Sequence, residues 1–436
     1  MMSAKFLKSF HFKNHKEQTL VALSFCCFFC LLCAYFILRP LRDEMGIANG
    51  AINMQWLFTG TFVAMVCLVP VFGFLISRNS IKSVLIYVYL FFLGNLFVFY
   101  FFFESYGPSQ ILAITFFIWL SVFNLFIVSL FWSFMADVFS SGTAKRFFGI
   151  IAAGGSLGAL AGPIIARELS SSASFGSLVF VAALFLVAAL CCVLGILKLS
   201  PHKNHFNQQK PNPSISIGQL FEGIQHIAKS SYLLGIVGFI LLYTTISTVL
   251  YFEQAHLIEH DIKVSAERIR YFSSIDLVVN TLAIAGQLFL TAKIVRKIGL
   301  SIVLASIPFL MGLGLLFLGT HPYLGTVAVL LVIHRAGNFT LLRPGREILF
   351  TVTSTVEKYK AKNCIDTAVY RGGDALVGWV FSGLIALGWG LGAIAFLAIP
   401  MAFLWSIIGF RLGHQQHKKE NEVTLEQIPY ENNIQS

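Results

Sequence analysis

Charged side chains stand inside or at the ends of long apolar stretches at several places in this chain. Arg39, Arg42 and Asp43 follow one such stretch at i, i+3 and i+4, one face of a helix, with Glu44 directly after them. Glu253 closes another stretch. Asp276, Asn280 and Gln287 recur at i, i+4 and i+11, again one face. His334 and Arg335 lie midway along a fourth run, and Arg371 and Asp374 are i, i+3 neighbours in a fifth. Charges within hydrocarbon are costly and usually border a water-filled path. A guanidinium fork holds carboxylate or phosphate well. Arg39, Arg42, Arg335 and Arg371 are therefore candidate contacts for an anionic or zwitterionic solute. Asp43, Asp276, Asp374 and Glu253 are candidate carriers of a coupling proton, because a carboxylate removed from water is more readily protonated. The competing reading of Arg39–Asp43 and Arg371–Asp374 is a pair of ion pairs that lock helices together.

Enzyme chemistry is poorly provided for. His256-Leu257-Ile258-Glu259-His260 fits H-x-x-E-H, a zinc-peptidase pattern with a glutamate base. Such a site needs a long helix and a third ligand in a closed cleft. Here the sequence places the motif in a connection of about 18 residues, 253–270, so neither a metal site nor a catalytic set is expected. No phosphate-cradling G-x-x-x-x-G-K-[ST] loop occurs, so energy is expected from ion or solute gradients. The eight cysteines lie in or at the edge of apolar runs, which argues against a disulfide framework. Two C-x-x-C spacings between Cys26 and Cys33 read as small packing residues. No cofactor is expected.

The elements that must position these residues are twelve apolar stretches: 19–38, 56–77, 83–103, 111–136, 147–166, 177–197, 232–252, 271–292, 300–319, 324–342, 365–387 and 391–410. Most are long enough to cross about 30 Å of hydrocarbon as a helix. Of the 31 Lys and Arg, 23 fall in the N-terminal arm, the even-numbered connections and the tail. The odd-numbered connections hold 6, and Arg335 and Arg371 sit within spans. Cytoplasmic segments collect Lys and Arg, which predicts both termini inside. A composition 57% apolar and 12% charged excludes an ordinary soluble domain. The same bias explains the net charge of +11 without a nucleic-acid partner. The basic start is not a cleaved signal peptide: its apolar run is too long, and Arg39-Pro40-Leu41-Arg42 follows instead of a small-residue site.

The chain reads as two halves of one design. After an N-terminal arm (1–18), a six-helix bundle covers 19–197 and a second covers 231–412. Between them 198–230 is a cytoplasmic linker, with Pro201, Pro211 and Pro213 and then an amphipathic pattern from Ile217 to Ala228. A polar tail, 413–436, is expected to be disordered. Echoes recur at an offset of 216 to 218 residues: Tyr35-Phe36 with Tyr251-Phe252, Arg78 with Arg296, Ala144-Lys145 with Ala361-Lys362, Gly154-Gly155 with Gly372-Gly373. Even-numbered halves give parallel repeats about the membrane normal, an arrangement of secondary transporters.

Two motifs carry a resemblance. Gly73-Phe74-Leu75-Ile76-Ser77-Arg78 through Lys82 resembles the inside-loop motif of the major facilitator superfamily, with Ser77 at its acidic position. Gly149, Gly158, Gly162 and Pro163 resemble that superfamily's antiporter-associated motif, with Ala166 where a further Gly is common. Independently, Gly154, Gly158 and Gly162 form a stripe that lets another helix approach closely, and Pro163 marks a bend. Longer stretches are similar to the nucleotide-exchange (ATP/ADP antiporter) group and its bacterial relatives: 35–43, Phe131 to Asp137, Ala144 to Gly149, Lys358 to Lys362 and Ile365 to Gly373. Those carriers tend to have a Lys soon after the Arg of span 11; here Asp374 stands at that place. In the superfamily, spans 1, 4, 7 and 10 line the central cavity, with 5, 8 and 11 beside them.

The expectation is an all-α integral membrane protein of twelve helices in two parallel-repeat bundles. It would be a secondary active transporter that moves a small polar, anionic or zwitterionic solute by alternating access, with H+ or a counter-substrate as coupling partner. A nucleotide exchanger is the first alternative; an integral membrane enzyme or a non-transporting receptor is the second. The expected setting is the bacterial inner membrane, as a monomer. The site residues above would bind and couple, and Gly73, Arg78, Gly149, Gly154, Gly158, Gly162 and Pro163 would form the gating framework.

Overall fold

A computed structural model describes residues 14–171, 174–199, 227, 228, 230–289, 297–353, 362 and 364–431. The N-terminal arm up to residue 13, most of the 198–230 linker with its amphipathic pattern, and most of the Lys358–Lys362 stretch lie outside the described residues.

The described residues are helices joined by short turns. Twelve helices follow in order: α1 His15–Ala48, α2 Met54–Arg78, α3 Ile81–Tyr106, α4 Gln110–Val138, α5 Ser141–Leu169, α6 Phe175–Leu199, α7 Ser231–Asp261, α8 Ser265–Phe289, α9 Leu300–Thr320, α10 Leu324–Val352, α11 Tyr370–Ala386 and α12 Leu391–Glu431. Eleven are long and apolar enough to cross a membrane. The remaining one, α11, has 17 residues and is preceded by a five-residue π turn, Ile365–Val369. Large apolar side chains such as Tyr87, Phe91, Phe101 and Ile111 point outward, more than half exposed. Outward apolar surface on this scale suits lipid and not water.

Two expectations change. The connection at 253–270 shrinks to residues 262–264, because α7 continues to Asp261 and α8 starts at Ser265. Arg268 Nε closes this turn by donating to the Ile262 carbonyl at 2.6 Å. Polarity ended the apolar run without ending the helix. Likewise α12 runs on to Glu431, past Gly413, where the sequence predicts disorder. Lys, Glu and Gln are good helix formers, and Gln416 bonds Glu420 one turn on at 3.1 Å.

The chain divides into two compact units. Unit 1 holds α1, α2 from Cys67 onward, α3 to α6, and Ile262–Asn280; unit 2 holds Gly50–Val66, α7, the rest of α8, and α9 to α12. Neither is a simple half of the chain, since α2 and α8 each contribute to both. In unit 1, α1 is the buried centre. Phe28 stacks on Phe131 at 4.5 Å, and Phe92, Phe99, Phe116 and Trp119 interlock between α3 and α4. The predicted glycine stripe finds its partner there. A Cβ on Gly162 would come within 2.8 Å of the Cys33 carbonyl oxygen, and one on Gly154 or Gly158 would meet the Phe25 or Phe29 carbonyl more closely still. Only glycine allows α5 to lie this near α1. Gly149 faces open space.

In unit 2, α10 is interrupted where its sequence requires it. Pro344 has no N–H to offer the preceding turn, and a π turn, Asn338–Leu342, leads into the Arg343–Leu349 segment. Gln287 of α8 donates to the Phe339 carbonyl of this turn at 3.0 Å.

Candidate functional site

Unit 1 contains a ladder of charges between α1 and α8. Arg39 Nη1 lies 3.5 Å from Asp276 Oδ1, and Arg268 Nη1 lies 3.6 Å from Glu44 Oε1. One rung has its cation on α1 and the other on α8. Asp276 and Glu44 are almost fully buried. Arg42 turns to its chain neighbour Asp43 instead, with Nη2 at 2.6 Å and Nε at 3.0 Å from the same oxygen, and rests over the Phe117 ring at 4.9 Å. Asn280 donates to the Ala159 carbonyl of α5 at 2.8 Å. Arg39 and Asp276 therefore pair with each other across helices, and the bond to Asp43 comes from Arg42. Sequence reasoning missed Arg268. The signal was there: Arg268, Phe272, Asp276 and Asn280 continue one i, i+4 face for two more turns.

Unit 2 brings two of the candidates, Arg371 and Asp374, together. Arg371 Nη1 and Asp374 Oδ2 are 3.7 Å apart. Thr248 of α7 donates to the other carboxylate oxygen of Asp374 at 3.1 Å. Gly373 makes this possible, since a Cβ there would come within 2.6 Å of Thr244 Oγ1 on α7. The Arg371 guanidinium lies over the Tyr370 ring at 5.6 Å, and Tyr370 hydrogen-bonds Tyr243. Tyr243 in turn stacks on His334 at 4.9 Å, and the charge of Arg335 acts on it. The Asp374 side chain is 10% exposed and the Arg371 side chain 35%. The guanidinium is thus the more exposed partner, while the carboxylate is held from behind by Thr248. At 3.7 Å the pair exceeds the 2.7–3.2 Å or so of a normal N–H···O bond, so Arg371 is not saturated by Asp374.

The remaining candidates stand apart. Glu253 is fully buried on α7, and neither carboxylate oxygen has a hydrogen-bond partner among the described residues. Arg78, at the end of α2, lies over Phe74 at 4.4 Å. The H-x-x-E-H residues sit on the last turns of α7 and point to separate partners. His256 Nδ1 meets the Phe252 carbonyl oxygen at 2.8 Å, Glu259 accepts from Ala51 N at 3.2 Å, and His260 pairs with Asp261 at 2.8 Å. Among the described residues no group of three His, Cys, Asp or Glu could hold a metal ion, and all eight cysteines are unpaired.

Among the described residues, long apolar helices thus carry buried and half-buried charges. Residues 20–342 match the model of the Major Facilitator Superfamily, and the chain belongs to that family. No curated protein matches it. Among solved structures it is similar to a POT family transporter in complex with 5-aminolevulinic acid. There the TM-score is 0.63 at 12% identity, over 91% of this chain and 96% of that one. It is also similar to the nucleoside transporter NupG, with TM-score 0.59 at 14% identity over 93% and 99%. The human organic anion transporter MFSD10 (TETRAN) gives 0.58 at 15% identity over 93% and 100%. At these identities the likeness shows the fold. The chain is a multi-pass membrane protein of the secondary-transporter type.

Proposed function

We propose that this chain moves a small zwitterionic or anionic solute by alternating access, and that Arg371 and Asp374 in unit 2 recognise it. The observation that carries this reading is the long Arg371–Asp374 pair, buffered by Thr248 on one side and Tyr370 on the other. A solute carboxylate reaches the half-exposed guanidinium, and an ammonium group on the same solute is matched by the carboxylate beside it. The transporter family and the transporter structures similar to this one support the general reading. The 5-aminolevulinic acid of one of them is a molecule with both charges. A nucleotide exchanger fits less well, since a polyphosphate would meet Asp374 beside Arg371.

The test is counterflow with the purified full chain in liposomes, using labelled 5-aminolevulinic acid, L-alanyl-L-alanine, succinate and ATP. A zwitterion or the dicarboxylate should show trans-stimulated uptake without chemical change. Exchange of ATP alone would overturn the substrate reading in favour of a nucleotide carrier, and chemical conversion of a probe would overturn transport.

The distribution of Lys and Arg supports both termini in the cytoplasm, and the setting we propose is a bacterial plasma membrane. In a background without its cysteines, Lys263→Cys should react with an impermeant maleimide added to intact cells, and Lys203→Cys should not. The reverse pattern would refute the orientation.

A further inference from the structure

Four buried carboxylates are candidates for a coupling proton, and the structure separates one from the rest. Asp43 is bonded to Arg42, Asp276 faces Arg39, and Asp374 faces Arg371 with Thr248 donating to it. Glu44, also buried, faces Arg268. Each of these four carboxylates has a cation within 4 Å. Glu253 has none among the described residues. Its side chain is fully buried on α7, a helix long and apolar enough to cross a membrane, and neither oxygen has a hydrogen-bond partner among the described residues.

The described groups around it supply no cation. On α7 its nearest polar neighbours are Gln254 and His256, and the His256 ring nitrogen is already turned to the Phe252 carbonyl. Glu259, further along α7, accepts from Ala51 N. From α2, Gln55 accepts from Ser382 of α11, and Thr59 accepts from Trp379. Phe58 and Phe381 close on Phe252 beside it with ring centroids at 5.2 and 5.3 Å.

A lone carboxylate in such a place is very costly as an anion and tolerable as a neutral acid. We propose that Glu253 is the proton-carrying group of this transporter, and that the carrier is proton-coupled. The chemistry is a reversible protonation. In the buried state the carboxyl keeps its O–H bond. When the cycle opens α7 to water, that bond breaks, the electron pair stays on the carboxylate oxygen and the proton passes to water. Return to the buried state requires a proton from the water on the side then exposed. One proton per cycle follows from one such group. The proposal rests on the transport reading above, while its first test does not depend on the solute.

That first test is infrared difference spectroscopy of the purified, full-length protein at neutral pH. The C=O stretch of a protonated carboxyl should be present in the wild type and missing in Glu253→Gln. An absent band, or one that Glu253→Gln leaves unchanged, overturns the assignment whatever the solute turns out to be. The second test uses proteoliposomes and 5-aminolevulinic acid or L-alanyl-L-alanine as probe. An imposed proton gradient should accelerate uptake at least tenfold in the wild type and less than twofold in Glu253→Gln, with counterflow persisting in the variant. Glu253→Asp should retain part of the acceleration. Loss of counterflow in Glu253→Gln at normal folded yield would place Glu253 on the solute and overturn the coupling role. Failure of the wild type to move either probe would instead overturn the substrate class, and the infrared result would still decide Glu253.

Discussion

Replacing Arg371 by Gln should reduce uptake at least a hundredfold and leave folded yield near that of the wild type. The reason is the asymmetry of the pair. Asp374 is held by Thr248 at 3.1 Å as well as by Arg371 at 3.7 Å, so it keeps a donor when the guanidinium is gone. The solute loses much more. A hydrogen bond to a charged group is worth about 1.5–3 kcal/mol, and a guanidinium fork offers two. Even about 3 kcal/mol corresponds to roughly a hundredfold in affinity. The measurement is initial uptake of whichever panel solute shows counterflow, normalised to monodisperse protein recovered. The double variant Arg371→Asp with Asp374→Arg separates binding from helix locking. It should fold at near wild-type yield but fail to take up solute, because the half-exposed position then carries the wrong sign. Full recovery of uptake would make the pair a helix lock and remove it from the solute site.

Gly158→Leu should collapse the folded yield of the whole transporter, and even Gly158→Ala should lower it several-fold. A Cβ at Gly158 runs into the carbonyl oxygen of Phe29 and the amide nitrogen of Cys33, which are backbone atoms and cannot rotate away. The helices must separate, and α1 is the buried centre of unit 1, packed through Phe28, Leu31, Cys33, Ala34 and Ile37. Overpacking of this kind costs about 1–3 kcal/mol for a small addition and more for a large one. Gly149→Ala is the internal control: nothing lies within 4 Å of its would-be Cβ, and it should fold like the wild type. Size-exclusion chromatography of the detergent-solubilised variants, with a thermal melt of each, reads both outcomes. Equal melting of Gly158→Ala and Gly149→Ala would show that α1 and α5 are not held at this separation.

The same contrast explains what can be read from the residues alone. Crossing a membrane imposes a one-dimensional requirement, about twenty apolar residues in sequence, so the spans, the all-helical class and the membrane setting are legible in residue order itself. The glycine stripe is legible for a related reason, since a four-residue repeat of the smallest side chain has one geometric use. Which helix the stripe receives is not legible, because nothing in Gly154, Gly158 or Gly162 names Phe25, Phe29 and Cys33. Helix ends are misjudged where polarity and helicity part company. Hydropathy falls at Glu253 and again at Gly413, yet the backbone hydrogen bonds of α7 and α12 continue, and Glu253 itself is buried.

Charge pairing marks the boundary most clearly. Local spacing alone suggests Arg39 with Asp43, and correctly suggests Arg371 with Asp374. In the folded chain Asp43 is taken by Arg42, and Arg39 reaches Asp276 more than two hundred residues away. Arg268 and Glu44 meet in the same manner. Sequence determined that these charges exist, that they lie within or beside membrane spans, and which of them share a helical face, because those are properties of spacing along a single helix. Only tertiary structure decided which charge is satisfied and which is left alone. A partner across helices depends on how two faces pack, and that is set by the sum of many apolar contacts, not by the charges themselves. Glu253 shows the consequence. In the sequence it is one of four equivalent carboxylates; in the folded protein it is the one of those four with no cation beside it among the described residues.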